Sequence, residues 1–115
     1  MDSIRLAIIE DDTLIQESLK DYFNAQHHLD CLLITTSVED FIKVIELSKN
    51  YPEIILLDIN LLGMLRIEGI PLILKELPEI SIIMLTTFED NDSIYKALCA
   101  GACSYLSKKN LLKKY

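Results

Sequence analysis

Glycine and proline are scarce in this sequence, with three of each in 115 residues. That scarcity argues against a turn-dense or low-complexity chain and predicts regular elements joined by short connections. Cysteine is equally sparse. Cys31, Cys99 and Cys103 form an odd set without a Cys-x-x-Cys pair, which indicates neither a disulfide framework nor a zinc site, and buried thiols are expected. No apolar run approaches the ~18 residues needed to span a membrane, and no basic segment leads into an apolar one at the N-terminus. A cytoplasmic protein with no membrane partner is expected. Basic residues are the minority, 11 Lys and Arg against 18 Asp and Glu, for a net charge of −7. Nucleic acid and anionic lipid both need a basic face, so any DNA binding would have to come from another domain.

What is present is a strict alternation of strand-like and helix-like segments. Ile4–Ile9 is apolar apart from Arg5 and reads as a first strand, ending at Glu10, Asp11 and Asp12. Thr13 with Gln16 resembles a capping box for a helix running to about Gln26, with Leu14, Ile15, Leu19, Tyr22 and Phe23 on one face. His27 and His28 follow as solvated loop residues, without a ligand partner at metal spacing. Cys31–Thr35 is a second strand, and Ser37 caps a second helix carrying Phe41, Ile42, Ile45 and Leu47. The run Ile54–Leu57 ends abruptly in Asp58. Continuous apolar runs of this kind mark strands buried on both faces of a parallel sheet.

Beyond Asp58, residues 60–66 read as a loop and Glu68–Leu77 as a third helix, with Pro71 acceptable only in its first turn. Ile80–Leu85 is a fourth strand, followed by Thr86 and Thr87. Glu89, Asp90, Asn91 and Asp92 open a fourth helix that Gly101 terminates. Ser104–Leu106 is a fifth strand leading to Ser107, Lys108 and Lys109, and Asn110–Tyr115 can be only the start of a fifth helix. The alternation predicts an α/β fold, a five-stranded parallel doubly wound sheet of flavodoxin-like (βα)5 type with a truncated last helix.

In such a sheet every strand ends at the same edge, and the crevice beyond the strand ends is where ligands bind. Reading off those ends gives carboxylates after the first and third strands, hydroxyls after the fourth and a lysine after the fifth. Clustered carboxylates repel one another unless a divalent cation neutralises them, and an all-oxygen set with open positions suits Mg²⁺. A carboxylate beside such a cation, with Thr86 and Lys108 to bind equatorial oxygens, is equipped to attack a phosphoryl group. Asp58 is the hardest of these to explain as packing, because a buried strand gains nothing from an ionised end. Asp12 and Thr13, in contrast, are most simply helix caps.

Ile-Glu-Asp-Asp after the first strand, Leu-Leu-Asp-Ile-Asn at the third, Met-Leu-Thr-Thr at the fourth and Ala-Gly-Ala-Cys-Ser-Tyr-Leu-Ser-Lys at the fifth occur in order. Together they resemble the CheY-like receiver domain of two-component response regulators, over essentially the whole chain. The resemblance implies that Asp58 is the phosphoacceptor, served by a sensor histidine kinase. It implies Mg²⁺ as cofactor, held by Glu10, Asp11, Asp58 and the Asn60 carbonyl. Thr86 would be the switch hydroxyl, Thr87 its neighbour lining access, Tyr105 the switch aromatic and Lys108 the phosphoryl-binding lysine. It implies a signalling domain rather than an enzyme with a separate substrate. The fourth helix, fifth strand and fifth helix form the face that would switch, where a second copy could dock. The phrasing is most similar to receivers of LuxR-type helix-turn-helix regulators, so residues 1–115 are expected to be the receiver, with an effector controlling transcription outside this chain.

The sequence departs from the family pattern at Leu62 and Arg66, where Pro and Gly are usual, and an arginine in place of glycine implies a distorted, mobile or repositioned loop. Lys109 stands where Pro is common, which bears on the peptide isomer at Lys108-Lys109. These departures keep open a pseudo-receiver that acts only through protein contacts. An aspartyl-phosphate phosphatase of the haloacid dehalogenase type would need its Asp-x-Asp after the first strand, which this chain lacks. A flavodoxin-like binding module would need Ser, Thr and Gly where this chain has acids.

Overall fold

The computed structural model describes residues 3–48, 50–58, 63–86 and 91–107, with side chains left out at 63–67 and 91–93. Five strands, β1 (Ile4–Ile9), β2 (Leu29–Thr35), β3 (Ile54–Asp58), β4 (Ser81–Thr86) and β5 (Ser104–Ser107), form one parallel sheet in the order β2-β1-β3-β4-β5. Between them run α1 (Thr13–Asn24), α2 (Val38–Leu47), α3 (Gly63–Glu76) and α4 (Asn91–Ala100). This is the expected doubly wound α/β architecture. The fifth helix expected at Asn110–Tyr115 lies outside the described residues, as do Leu62 and the Lys108-Lys109 bond.

The central strands are apolar on both faces because both are covered. On one face Ala7, Ile9, Ile55, Leu57, Ile82 and Met84 pack with Val38, Phe41 and Ile45 of α2, Ile70 and Ile73 of α3, and Ile94 and Ala97 of α4. On the other, Leu6, Ile8, Leu56 and Leu85 pack with Leu19 and Phe23 of α1. Fully burying one such aliphatic side chain contributes about 1.5–3 kcal/mol, so the two clusters carry most of the folding drive.

Helix ends follow local chemistry, with some departures from the sequence reading. Asp12, not Thr13, caps α1: its Oδ1 accepts from the main-chain N–H groups of Leu14 at 2.9 Å and Ile15 at 3.3 Å. Ser37 caps α2 as expected, its Oγ accepting from Asp40 N at 3.1 Å. The third helix starts earlier than expected, at Gly63, so Arg66 sits inside it and Pro71 lies in its interior rather than its first turn. Proline there forgoes one main-chain hydrogen bond, a cost offset by the burial of Ile70 and Ile73 on either side of it. At the end of α4, Gly101 N donates to Leu98 O and Ala102 N to Ala97 O, at 3.1 and 3.0 Å, with Gly101 at φ 124°. These paired bonds make a Schellman cap.

One irregularity interrupts the sheet. The β1–β2 pairing steps from Leu6↔Cys31 to Ala7↔Leu33, so Leu32 is an extra residue on β2. The cysteines also differ from expectation. Cys31 is half-buried against the α1 cluster, but Cys99 and Cys103 are exposed. Tyr95, one turn before Cys99 on α4, hydrogen-bonds to its sulfur, which pushes the phenol pKa up.

Candidate functional site

Glu10 follows β1 directly and Asp58 is the last residue of β3, adjacent strands that point the same way. Both side chains are wholly buried, and Asp11 is partly so. One carboxylate oxygen from each of Glu10, Asp11 and Asp58 lies within 4.8 Å of the others. Two ionised carboxylates at that separation repel by about 3.5 kcal/mol at an effective dielectric constant of ~20, so the cluster favours a counter-ion. Thr86, 2% exposed, ends β4 on the neighbouring strand, where Asp58 is in register with Leu85.

The acidic turn is held by its own main chain. Glu10 N donates to Thr35 O at 2.9 Å, tying the end of β1 to the end of β2. Asp12 N donates to Glu10 Oε2 at 3.2 Å, which fixes the Glu10 side chain. Gln16 Nε2 donates to the Glu10 carbonyl, so the first turn of α1 grips the residue that supplies the first carboxylate. Asp12 is spent on the helix cap and is absent from the three-carboxylate cluster, in keeping with the capping reading of that residue.

The expected site residues therefore divide into three groups. Glu10, Asp11 and Asp58 converge, with Thr86 buried at the next strand end. Tyr105 lies on β5 at 42% exposure, in register with Met84, its side chain toward solvent. Asn60, Thr87 and Lys108 lie outside the described residues. Two supporting residues take roles that sequence reasoning did not assign to them. Thr35 is buried behind Glu10, and its only sequence signal is a hydroxyl closing an apolar strand. Gln16 was legible as a group reaching back from the first turn, but its partner is the Glu10 carbonyl and not the cap residue.

The chemistry of the donor set fits a hard divalent cation: three carboxylate oxygens, no nitrogen or sulfur, at one open end of a sheet.

The chain matches the family model described as the response regulator receiver domain over residues 6–114. It belongs to that family. It is 34% identical over 106 residues to the transcriptional regulatory protein LiaR of Bacillus subtilis, covering 91% of this chain and 49% of that protein. It is 30% identical over 112 residues to the response regulator protein VraR of Staphylococcus aureus, covering 96% and 52%. The receiver thus spans about half the length of these curated relatives. A DNA-binding response regulator of the LuxR family from Staphylococcus aureus superposes with a TM-score of 0.78 at 25% identity, over 96% of this chain and 92% of that one. The expected receiver fold and the LuxR-type likeness both hold. Among the described residues, no helix is long and apolar enough to cross a membrane.

Proposed function

We propose that this receiver accepts a phosphoryl group on Asp58 from the phosphohistidine of a sensor kinase and thereby switches an output surface. The observation that carries the reading is the convergence of Glu10, Asp11 and Asp58 within 4.8 Å at the carboxyl edge of the sheet. A Asp58 carboxylate oxygen attacks phosphorus, the P–N bond to the donor imidazole breaks, and the imidazole leaves with the bonding pair. The product on this chain is an acyl phosphate.

Glu10, Asp11 and Asp58 would hold Mg²⁺, with the Asn60 carbonyl as a further oxygen ligand. When bound, that ion supplies neutralisation of the charge that gathers on the phosphoryl oxygens. The remaining roles belong to the chain. Burial of Glu10 and Asp58 keeps bulk water from screening the site. Thr86 offers a hydroxyl one residue past the register partner of Asp58, and the family resemblance assigns Thr87 to lining access. Lys108 adds a cation for the phosphoryl oxygens. Tyr105, outward here, would turn inward as Thr86 moves toward the phosphoryl group, which changes the α4–β5 surface.

We further infer that output passes to a DNA-binding effector domain of a longer protein, and that a homodimer through α4, β5 and the fifth helix is one form of the active state. Support comes from the regulators named above, which are about twice the length of the matched region. With the phosphodonor supplied by the kinase and the acceptor by Asp58, we read the domain as a signalling element and not as an enzyme with a separate substrate.

The decisive experiment is incubation with Mg²⁺ and a small acyl phosphate, followed by intact-mass measurement. One phosphoryl group should be added to wild type and none to Asp58→Asn. Labelling that persists in Asp58→Asn would sink the assignment. Binding of Mg²⁺ without any phosphorylation would favour a pseudo-receiver.

A further inference from the structure

We propose that the amino edge of the sheet, the pole opposite the acid cluster, is a binding site for a small organic cation with a flat apolar body. A cleft of about 760 Å³ opens there, at the start of β1, β3 and β4. That volume falls within the ~300–1,000 Å³ usual for small-molecule sites. Its lining is largely apolar, from Ile4, Ile54, Leu77, Ile80 and the conformationally stiff Pro52 and Pro78. Tyr51, 46% exposed, is the aromatic residue among its lining.

The polar groups of the cleft decide which ligand it suits. Glu53 and Glu79 are the charged side chains among its described lining, and both are acidic. Hydrogen-bond donors are scarce. The two prolines have no N–H, and the amides of Ile4, Glu53, Leu77, Ile80 and Ser81 already donate to the carbonyls of His28, Arg5, Ile73, Leu77 and Glu53. A phosphate or carboxylate ligand would therefore meet the like charge of Glu79 and few available N–H groups. An ammonium or amidinium meets the Glu79 carboxylate, Glu53 paired with Arg5, and the aromatic residue Tyr51, groups that attract cations.

One wall is also held in place before any ligand arrives. Arg5 Nε donates to Tyr51 O at 2.9 Å, and its guanidinium lies 3.4 Å from Glu53 Oε1. Arg5 thus ties residues 51–53 to β1 from outside the cleft. Glu79 has no such tie among the ion pairs of the described residues, so it is the carboxylate better placed to meet an incoming cation.

The test is an amide-shift titration of the whole chain with naphthylmethylammonium, against neutral naphthylmethanol and anionic naphthoate. The ammonium should shift the amides of Glu53, Ile54, Ile80 and Ser81 saturably and bind at least about fivefold more tightly than either analogue. Glu79→Gln, at an exposed position, should keep the fold and weaken the ammonium about threefold. The proposal is overturned if the three probes bind alike, if Glu79→Gln leaves the affinity unchanged, if the ammonium shifts only residues at the acidic edge, or if it shifts none.

Discussion

Gly101 meets two constraints at once, and each excludes a side chain. Its φ of 124° lies where L-residues are strained, and a Cβ there would collide with Leu74 Cδ1 of α3. Gly101→Ala should therefore destabilise the fold by about 1–3 kcal/mol, read as a lower urea midpoint with an unchanged m-value. The position was legible in the sequence as the end of an apolar helical stretch. Cys31 offers a pH readout. Burial is the largest cause holding its pKa above the ordinary value of 9.0, outweighing the lowering effect of its backbone hydrogen bond. A thiol whose pKa is raised on folding favours the native state while protonated. Its contribution is full below about pH 9 and is lost as pH climbs through the raised native value. Cys31→Ala should accordingly flatten the alkaline loss of stability, and Cys31 should alkylate more slowly than exposed Cys99 and Cys103.

At the level of elements, α2 and α3 approach each other closely at Gly69. A Cβ built there would stand 2.7 Å from Val38 Cγ2 and 3.0 Å from Val38 Cγ1. Alanine gains up to about 1 kcal/mol of helix propensity over glycine, whereas overpacking costs about 1–3 kcal/mol. Gly69→Ala should thus be net destabilising by roughly 1 kcal/mol, and Val38→Ala in the same chain should relieve much of the clash. A double-mutant cycle by chemical unfolding checks both. The sequence pattern located the helices and most of their buried faces but misjudged the facing of apolar residues near their ends. Leu14 and Leu47 are 75% and 89% exposed because, at 3.6 residues per turn, Leu14 lies about 140° from buried Leu19 and Leu47 about 160° from buried Ile45, on the outer sides of their helices. Helix α3 shows a second limit: proline preference argued for a start near Pro71, whereas the helix begins at Gly63 and buries Ile70 and Ile73 around the proline.

Across the whole molecule, the parallel sheet makes the two poles chemically different. Convergence of Glu10, Asp11 and Asp58 was legible because a parallel sheet leaves strand ends no other place to go. Burial of Thr35 and the outward setting of Tyr105 were not, since both depend on neighbours that local sequence does not encode. Three carboxylates held together also predict a thermodynamic signature. Mg²⁺ at 100-fold over its Kd should stabilise wild type by about 2.7 kcal/mol. Asp58→Asn should be more stable than wild type without the ion and should gain less from it. Thermal unfolding with and without Mg²⁺ reads both effects, and a wild type indifferent to the ion would count against the cation site.

The extra residue at Leu32 has a consequence for behaviour at high concentration. β2 is an outer strand of the sheet, and a regular outer strand is a template on which another chain can add hydrogen bonds. The step in register at Leu32 breaks that template midway. Deleting Leu32 would restore an even ladder, and the resulting protein should form larger species in light scattering at concentrations where wild type does not. The bulge would then act as a guard on solubility.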